Sequence, residues 1–258
     1  MEGSLSDTRL HVSVTGEGPD LVLLHGWGLH GGVWSTLLPR LAAHYRVSVI
    51  DLPGHGRSPG RLGGLEQAAS AVLAAAPPAA AWVGWSLGGM IATAAAAQAP
   101  ERVTRLLLVA SNPRFTQQPD WPCAMAPATL AAFADGLATD FEATLGRFLT
   151  LQFRGVKGAG ETLRGLRAGL AAHPPAAESL RDGLAMLGGA DLRPALAGYP
   201  GPVAAVLGEL DTLVPVAVAA SLTALRPDMA ITVIEGAGHA PFLTHPGRFL
   251  AALEGVPA

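Results

Sequence analysis

The chain has 258 residues, half of them apolar and only 14% charged, which excludes a disordered protein and allows a sizeable buried core. With 17 Lys and Arg against 20 Asp and Glu the net charge is -3, so there is no broad basic surface for nucleic acid. Cys123 is the only cysteine, which excludes an intrachain disulfide and a cysteine-rich metal site.

Apolar runs that read as buried strands alternate with Ala- and Leu-rich runs that read as helices, the rhythm of a parallel sheet built from βαβ units. The opening MEGSLSDTRLHVSV has neither a basic n-region nor an apolar h-region, so no signal peptide is expected and the cytoplasm is the default. Strands are predicted at Leu10 to Val14, Leu21 to Leu24 and Val47 to Ile50, with helices at Val33 to His44 and Leu65 to Ala76. From Gln67 to Pro100 no side chain is charged, but Pro77-Pro78 interrupts the stretch and rules out a membrane-spanning helix. It reads instead as a helix, a strand at Ala81 to Gly84 and a helix at Leu87 to Ala99, followed by a strand at Arg105 to Val109. Over residues 112–190 the rhythm fails and Pro- and Gly-punctuated helical patterns take over, so an inserted helical cap is expected. Strands at Val203 to Leu207 and Ile231 to Ile234 and helices at Val216 to Leu225 and Pro246 to Leu253 complete the pattern. The expected organisation is one α/β core, residues 1–111 and 191–258, interrupted by a cap over 112–190.

Gly84-Trp85-Ser86-Leu87-Gly88 is a G-x-S-x-G, weak alone because roughly 0.2 such pentapeptides would arise by chance at this composition. Its position between a predicted strand and a predicted helix is the setting of a nucleophile elbow, in which a serine sits in a strained turn at a helix N-terminus. A serine hydroxyl needs a base, itself oriented by an acid. His239 lies in the Gly-rich loop after the last predicted strand, whereas His25 precedes the elbow, against the order nucleophile, acid, base that this setting uses. The remaining histidines (His11, His30, His44, His55, His173, His245) read as surface, loop or helix-end residues. For the acid, Asp211 lies beyond a strand and between Ser86 and His239 in order, with Glu209 nearer the strand and Asp191 as rivals, and Asp51 organising its own turn. An oxyanion hole would use the backbone N–H of Leu87 and that of Trp27 in His25-Gly-Trp-Gly. Trp27, Leu29, Trp85 and Phe148 would then line an apolar channel.

Leu-Leu-His25-Gly-Trp-Gly, Asp51-Leu-Pro-Gly-His-Gly-Arg-Ser, Gly-Trp-Ser86-Leu-Gly-Gly, Pro-Glu101-Arg-Val and Gly-His239-Ala-Pro-Phe together resemble the α/β-hydrolase superfamily over nearly the whole chain. Within it the sequence is most similar to the esterases acting on the methyl ester of pimeloyl-[acyl-carrier protein] in biotin synthesis. The marks are Trp34 after the His-Gly-Trp-Gly-Leu run, Trp82 before the elbow, Asp120-Trp-Pro and Arg147-Phe-Leu-Thr-Leu-Gln152. The resemblance implies a mostly parallel twisted sheet flanked by helices, a Ser86, Asp211 and His239 triad, and no cofactor or metal. It also implies acyl-substrate contacts at Trp27, Leu87, Phe148, Gln152 and His239, and docking of an acidic acyl-carrier protein by Arg147, Arg164 and Arg167. Two basic cap positions of that family are here Ala143 and Gly160.

The charge count agrees independently: from Ala143 to Ala177 five basic residues face Glu161 alone, while the other parts of the chain hold 12 basic against 19 acidic. A positive cap on a negative body suits an acidic partner. The expectation is therefore a monomeric carrier-protein ester hydrolase with no membrane or nucleic-acid partner. A broad carboxylesterase or a carbon-carbon bond hydrolase with the same triad, and a non-catalytic binding protein on the same scaffold, are the alternatives.

Overall fold

The apolar runs form seven strands among the described residues, 9–255, of the computed structural model: β1 (Val12–Thr15), β2 (Asp20–Leu24), β3 (Arg46–Ile50), β4 (Ala80–Trp85), β5 (Val103–Val109), β6 (Val203–Gly208) and β7 (Ala230–Ile234). The absence of a signal sequence is a reading that falls mainly on residues 1–8, outside the described residues. The sheet order is β1-β3-β2-β4-β5-β6-β7, with β1 antiparallel to β3 and every other neighbouring pair parallel. β6 is buried along its whole length and β2 and β4 nearly so, which is why they read as continuous apolar runs rather than as an alternation. The edge strands are the most exposed: Val14 of β1 and Val233 of β7 stand about half exposed.

Alternate residues of each strand feed two cores. Val22, Leu24, Trp82, Leu106 and Leu207 face one side of the sheet; Leu21, Leu23, Val83, Leu107 and Val206 face the other. The helices follow as α1 (Leu38–Leu41), α2 (Leu65–Ala75), α3 (Leu87–Gln98), α4 (Pro127–Thr139), α5 (Phe141–Leu151), α6 (Gly160–Ala172), α7 (Ala177–Gly189), α8 (Arg193–Gly198), α9 (Val218–Leu225), α10 (Pro241–Thr244) and α11 (Pro246–Glu254). The twelve-residue helix predicted from Val33 does not form. In its place are a 3-10 turn at Gly31–Trp34 and the short α1, because Pro39 in the middle of a continuous helix would leave the carbonyl of Ser35 without its donor. The break lets Trp34 bury its ring against Phe242, centroids 4.2 Å apart.

α3 is buried from Leu87 to Ala96, which accounts for the absence of charge in that part of the stretch noted in the sequence. No helix among the described residues is long and apolar enough to cross a membrane.

Between β5 and β6, residues 112–190 contribute no strand to the sheet. Their helices α4 and α7 pack together, α4 also against α5 and α5 against α6. Leu130, Leu137, Leu145, Phe148, Leu180 and Leu184 join the same apolar cluster as Val22, Leu24 and Trp82 of the sheet. α6 buries no residue and is the outermost layer. The segment is tied down on one side by Asp182 of α7, which accepts from the Arg61 guanidinium at 2.6 and 2.7 Å and from the Gly63 amide at 2.9 Å. Its entry and exit run side by side, the Leu192 N–H donating to the carbonyl of Pro113 at 2.8 Å.

Candidate active site

At the C-terminal end of β4 the chain reverses into α3 within one residue. Ser86 takes φ 54° and ψ -119°, a conformation that strains any residue with a Cβ. Glycines make the turn possible: a Cβ on Gly84 would lie 2.5 Å from the carbonyl oxygen of Gly88, and one on Gly88 equally close to that of His25. Strand, helix and the loop after β2 therefore meet without side chains between them, and the Ser86 hydroxyl stands at the positive end of α3.

The Ser86 hydroxyl lies 2.9 Å from Nε2 of His239, whose Nδ1 lies 2.8 Å from Oδ2 of Asp211. A carboxylate only accepts, so Nδ1 carries the proton and Nε2 is left to accept from the serine. Asp211 is itself fixed, its Oδ1 accepting from the amides of Leu213 at 2.8 Å and Val214 at 3.0 Å. The carboxylate thus caps a turn with one oxygen and orients the imidazole with the other. All three residues are buried, Ser86 only 2% exposed.

Two contacts that no residue pattern announces hold the His239 loop. The Trp85 indole N–H donates to the His239 carbonyl at 2.8 Å, and the His239 amide donates to the carbonyl of Gln152 at 3.0 Å. Trp85 therefore braces the histidine from the opposite sheet face, packed edge-on to Phe242 at 5.0 Å. Leu29 lies in that same cluster, whereas Trp27 and Phe148 pack in the other.

The rival acids are elsewhere. Hydrogen bonds from Arg193, with Arg114 also near, hold Asp191 down to about 2. Glu209 is exposed and accepts from the Gly236 amide at 2.9 Å, bracing the loop that leads to His239. Asp51 organises its turn, accepting from the amides of Gly31 at 2.6 Å and Arg57 at 2.9 Å. Among the remaining histidines, His55 is a loop residue as expected, but an interior one. It is 1% exposed, its ring 5.4 Å from that of the equally buried His25, because the Pro- and Gly-rich turn that carries it folds inward beneath α7. Burial pushes His25 down to about 3 and His55 to about 4, so both are neutral. His25 uses both ring nitrogens, Nδ1–H donating to the Gly26 carbonyl at 2.8 Å and Nε2 accepting from the Leu52 amide at 2.9 Å.

The loop that follows brings Gly26 against Ser86: a Cβ on that glycine would stand 3.4 Å from the serine Cβ. The next residue, Trp27, donates its indole N–H to the carbonyl of Leu180 in α7 at 2.8 Å and meets Phe148 of α5 edge-to-face at 4.7 Å. Leu87 is fully buried. Gln152 is 1% exposed with neither end of its side-chain amide hydrogen-bonded. Farther out, Arg147 and Arg167 line a groove of about 790 Å³ between α5 and α6, each donating to a threonine hydroxyl (Thr144 at 2.9 Å, Thr150 at 3.1 Å). Arg154 joins them, as do Ala143 and Gly160, while Arg164 is outside that lining.

Comparison with known proteins agrees with this architecture. Residues 21–253 match the model of the alpha/beta hydrolase family. The pimeloyl-[acyl-carrier protein] methyl ester esterase of Methylococcus capsulatus is 47% identical over 93% of this chain and 94% of its own. That of Aliivibrio fischeri is 43% identical over 95% and 96%. Among solved structures, an esterase from Exiguobacterium antarcticum superposes with a TM-score of 0.86 at 22% identity, covering 95% of this chain and 94% of that one. At that identity the superposition speaks for the fold alone. With the family match running from the second strand to the last helix, and relatives matching over more than nine-tenths of both chains, the chain belongs to the alpha/beta hydrolase family.

Proposed function

We propose that this chain is a serine carboxylesterase that hydrolyses the methyl ester of pimeloyl-[acyl-carrier protein], giving methanol and free pimeloyl-[acyl-carrier protein] in biotin synthesis. The observation that carries the reading is the 43–47% identity to esterases so named, over more than nine-tenths of both chains. The buried relay of Ser86, His239 and Asp211 is the chemistry such an ester needs.

In the first step the Ser86 oxygen attacks the ester carbonyl as its proton passes to Nε2 of His239. The Trp27 and Leu87 amides carry the oxyanion, and Asp211 stabilises the imidazolium. Collapse breaks the bond to methoxide, which leaves as methanol with the proton from His239. A water molecule, deprotonated by the same nitrogen, then attacks the acyl-enzyme and releases the acid and Ser86. The base and two amides suffice, so the reaction calls for no metal or organic cofactor.

Residues 1–111 and 191–258 form the catalytic core in this reading, and 112–190 the cap that covers it. Trp27, Leu87, Phe148, Gln152 and His239 contact the acyl substrate; the unpaired amide of Gln152 is available to its polar atoms. Arg147, Arg164 and Arg167 draw in the acidic carrier protein. The enzyme works as a monomer in the cytoplasm.

The test compares the methyl ester of a pimeloyl-carrier protein with p-nitrophenyl butyrate, beside complementation of a biotin-requiring strain that lacks the esterase. Preference for the carrier-bound ester and restored growth are expected. Hydrolysis of the free ester alone, without growth, would leave a generic carboxylesterase.

A further inference from the structure

Among the described residues only two that are not glycine hold a positive φ: Ser86 at 54° and Ala110 at 43°. Such conformations are costly and persist only where the surroundings over-determine them. The two sit at neighbouring strand ends, directly after the paired residues Trp85 of β4 and Val109 of β5. Directly after Ala110 comes Ser111, 1% exposed, and its hydroxyl donates to the carbonyl of Ser86 at 2.7 Å. We infer that Ser111 is a positioning residue for the Ser86 nucleophile, swung beneath the elbow by the left-handed turn at Ala110 so that its hydroxyl clasps the strained Ser86 peptide. The inference rests on the reading of Ser86 as nucleophile.

The surrounding contacts favour a clasp over a space-filling hydroxyl. The Ser86 carbonyl already accepts from the first turn of α3, from the amides of Gly89 at 2.9 Å and Met90 at 3.3 Å. Ser111 is the donor from outside that helix, so without it the peptide is still satisfied but its carbonyl is anchored only to α3. The other side of the clasp is equally fixed: the Ser86 amide donates to Val109 at 2.9 Å and the Ala110 amide to Val206 of β6 at 2.8 Å. Gly89 has no room for a Cβ because it would collide with the Ser111 hydroxyl, so α3 lies directly on it. A relaxed, extended residue at 110 would carry the next side chain away from the elbow; the turn is what delivers it. Rotation of the Ser86 peptide would move its hydroxyl away from the His239 nitrogen 2.9 Å distant.

The test is Ser111→Ala, read with p-nitrophenyl acetate turnover, the rate of fluorophosphonate labelling, and thermal melting. Thr93→Val is the control: Thr93 is 2% exposed, and its hydroxyl donates to the Gly89 carbonyl at 2.8 Å in the same helix without touching Ser86. Ser111→Ala should lower kcat about 10- to 100-fold, as a misplaced reacting group does, slow labelling by the same factor, and leave KM within about twofold. Thr93→Val should leave kcat and labelling within about twofold. Ser111→Cys, with a weaker donor, should fall between wild type and Ser111→Ala, and it carries the test if the alanine variant fails to fold. Wild-type kcat in the Ser111 variants would overturn the inference, as would an equal loss in Thr93→Val at matched melting temperature. Ser86→Ala separates the two readings. Labelling that survives in it removes the nucleophile; a silent Ser86→Ala beside unaffected Ser111 variants removes only the clasp.

Discussion

The carbonyl of Gln152, the residue that closes α5, accepts the amide N–H of His239 at 3.0 Å. A residue from the middle of the proposed cap therefore fixes the backbone of the proposed base. Gly238 permits the approach, since a Cβ there would stand 2.6 Å from that carbonyl and 3.0 Å from Val156. Gly238→Ala is expected to separate α5 from the histidine loop and lower kcat by about tenfold or more, a loss out of proportion to any fall in melting temperature. Wild-type turnover in this variant would show that the imidazole is placed without the cap.

Asp211→Asn keeps an oxygen that can serve the amides of Leu213 and Val214, but turns an N–H₂ toward Nδ1 of His239. The imidazole must then take the other tautomer and can no longer accept from Ser86. Turnover should fall by about 10³- to 10⁴-fold with the fold intact, as in other triads. Asp191→Asn, which weakens only the pairs with Arg193 and Arg114, should leave kcat within about twofold. The reverse pattern would reassign the acid.

Neutral, buried His25 and His55 make the fold sensitive to acid. In the unfolded chain each takes up a proton near pH 6.5, but in the folded protein only near 3 and 4. The unfolded state binds more protons across that window, so stability is full above about pH 6.5 and falls as pH drops toward 4, by up to about 1.4 kcal/mol per pH unit for each histidine. His55→Phe should flatten the fall of melting temperature between pH 6.5 and 4.5. A slope unchanged by the substitution would assign it to other groups.

Charge reversal of Arg147, Arg164 and Arg167 to Glu should lower kcat/KM on the carrier-bound ester, with the defect shrinking as salt rises, because exposed charges act on encounter and are screened. Hydrolysis of p-nitrophenyl butyrate should barely change. Equal losses on both substrates would mean that the arginines support the helices they stand on, Arg147 through Thr144 and Arg167 through Thr150.

The strands were legible because parallel strands buried on both faces are written as unbroken apolar runs, and Val203–Gly208 is the clearest case. The helix at Val33 was misread because its apolar spacing outweighed one proline at position 39. Ser86, Asp211 and His239 could be singled out since each lies in a loop directly after a strand, in chain order, and the folded chain brings them within hydrogen-bonding distance. What holds them could not. The Gln152 carbonyl is a backbone group that any residue would offer, and the Trp85 indole meets a carbonyl 154 positions away. His55 lay in a Pro- and Gly-rich stretch with the composition of an exposed turn, and only the helices folded over it make it interior.

The bond from Leu192 to Pro113 has a consequence for how such a chain can diversify. Because the inserted segment leaves and rejoins the core at one point, before α8 leads on to β6, its length can change without moving the register of β5 with β6. Closing a longer or shorter excursion at that point changes the loop-closure entropy only logarithmically, about 0.6 kcal/mol for each doubling of length. The proposed cap can therefore be rebuilt, residue by residue or wholesale, while the strand ends that carry Ser86, Asp211 and His239 stay where they are.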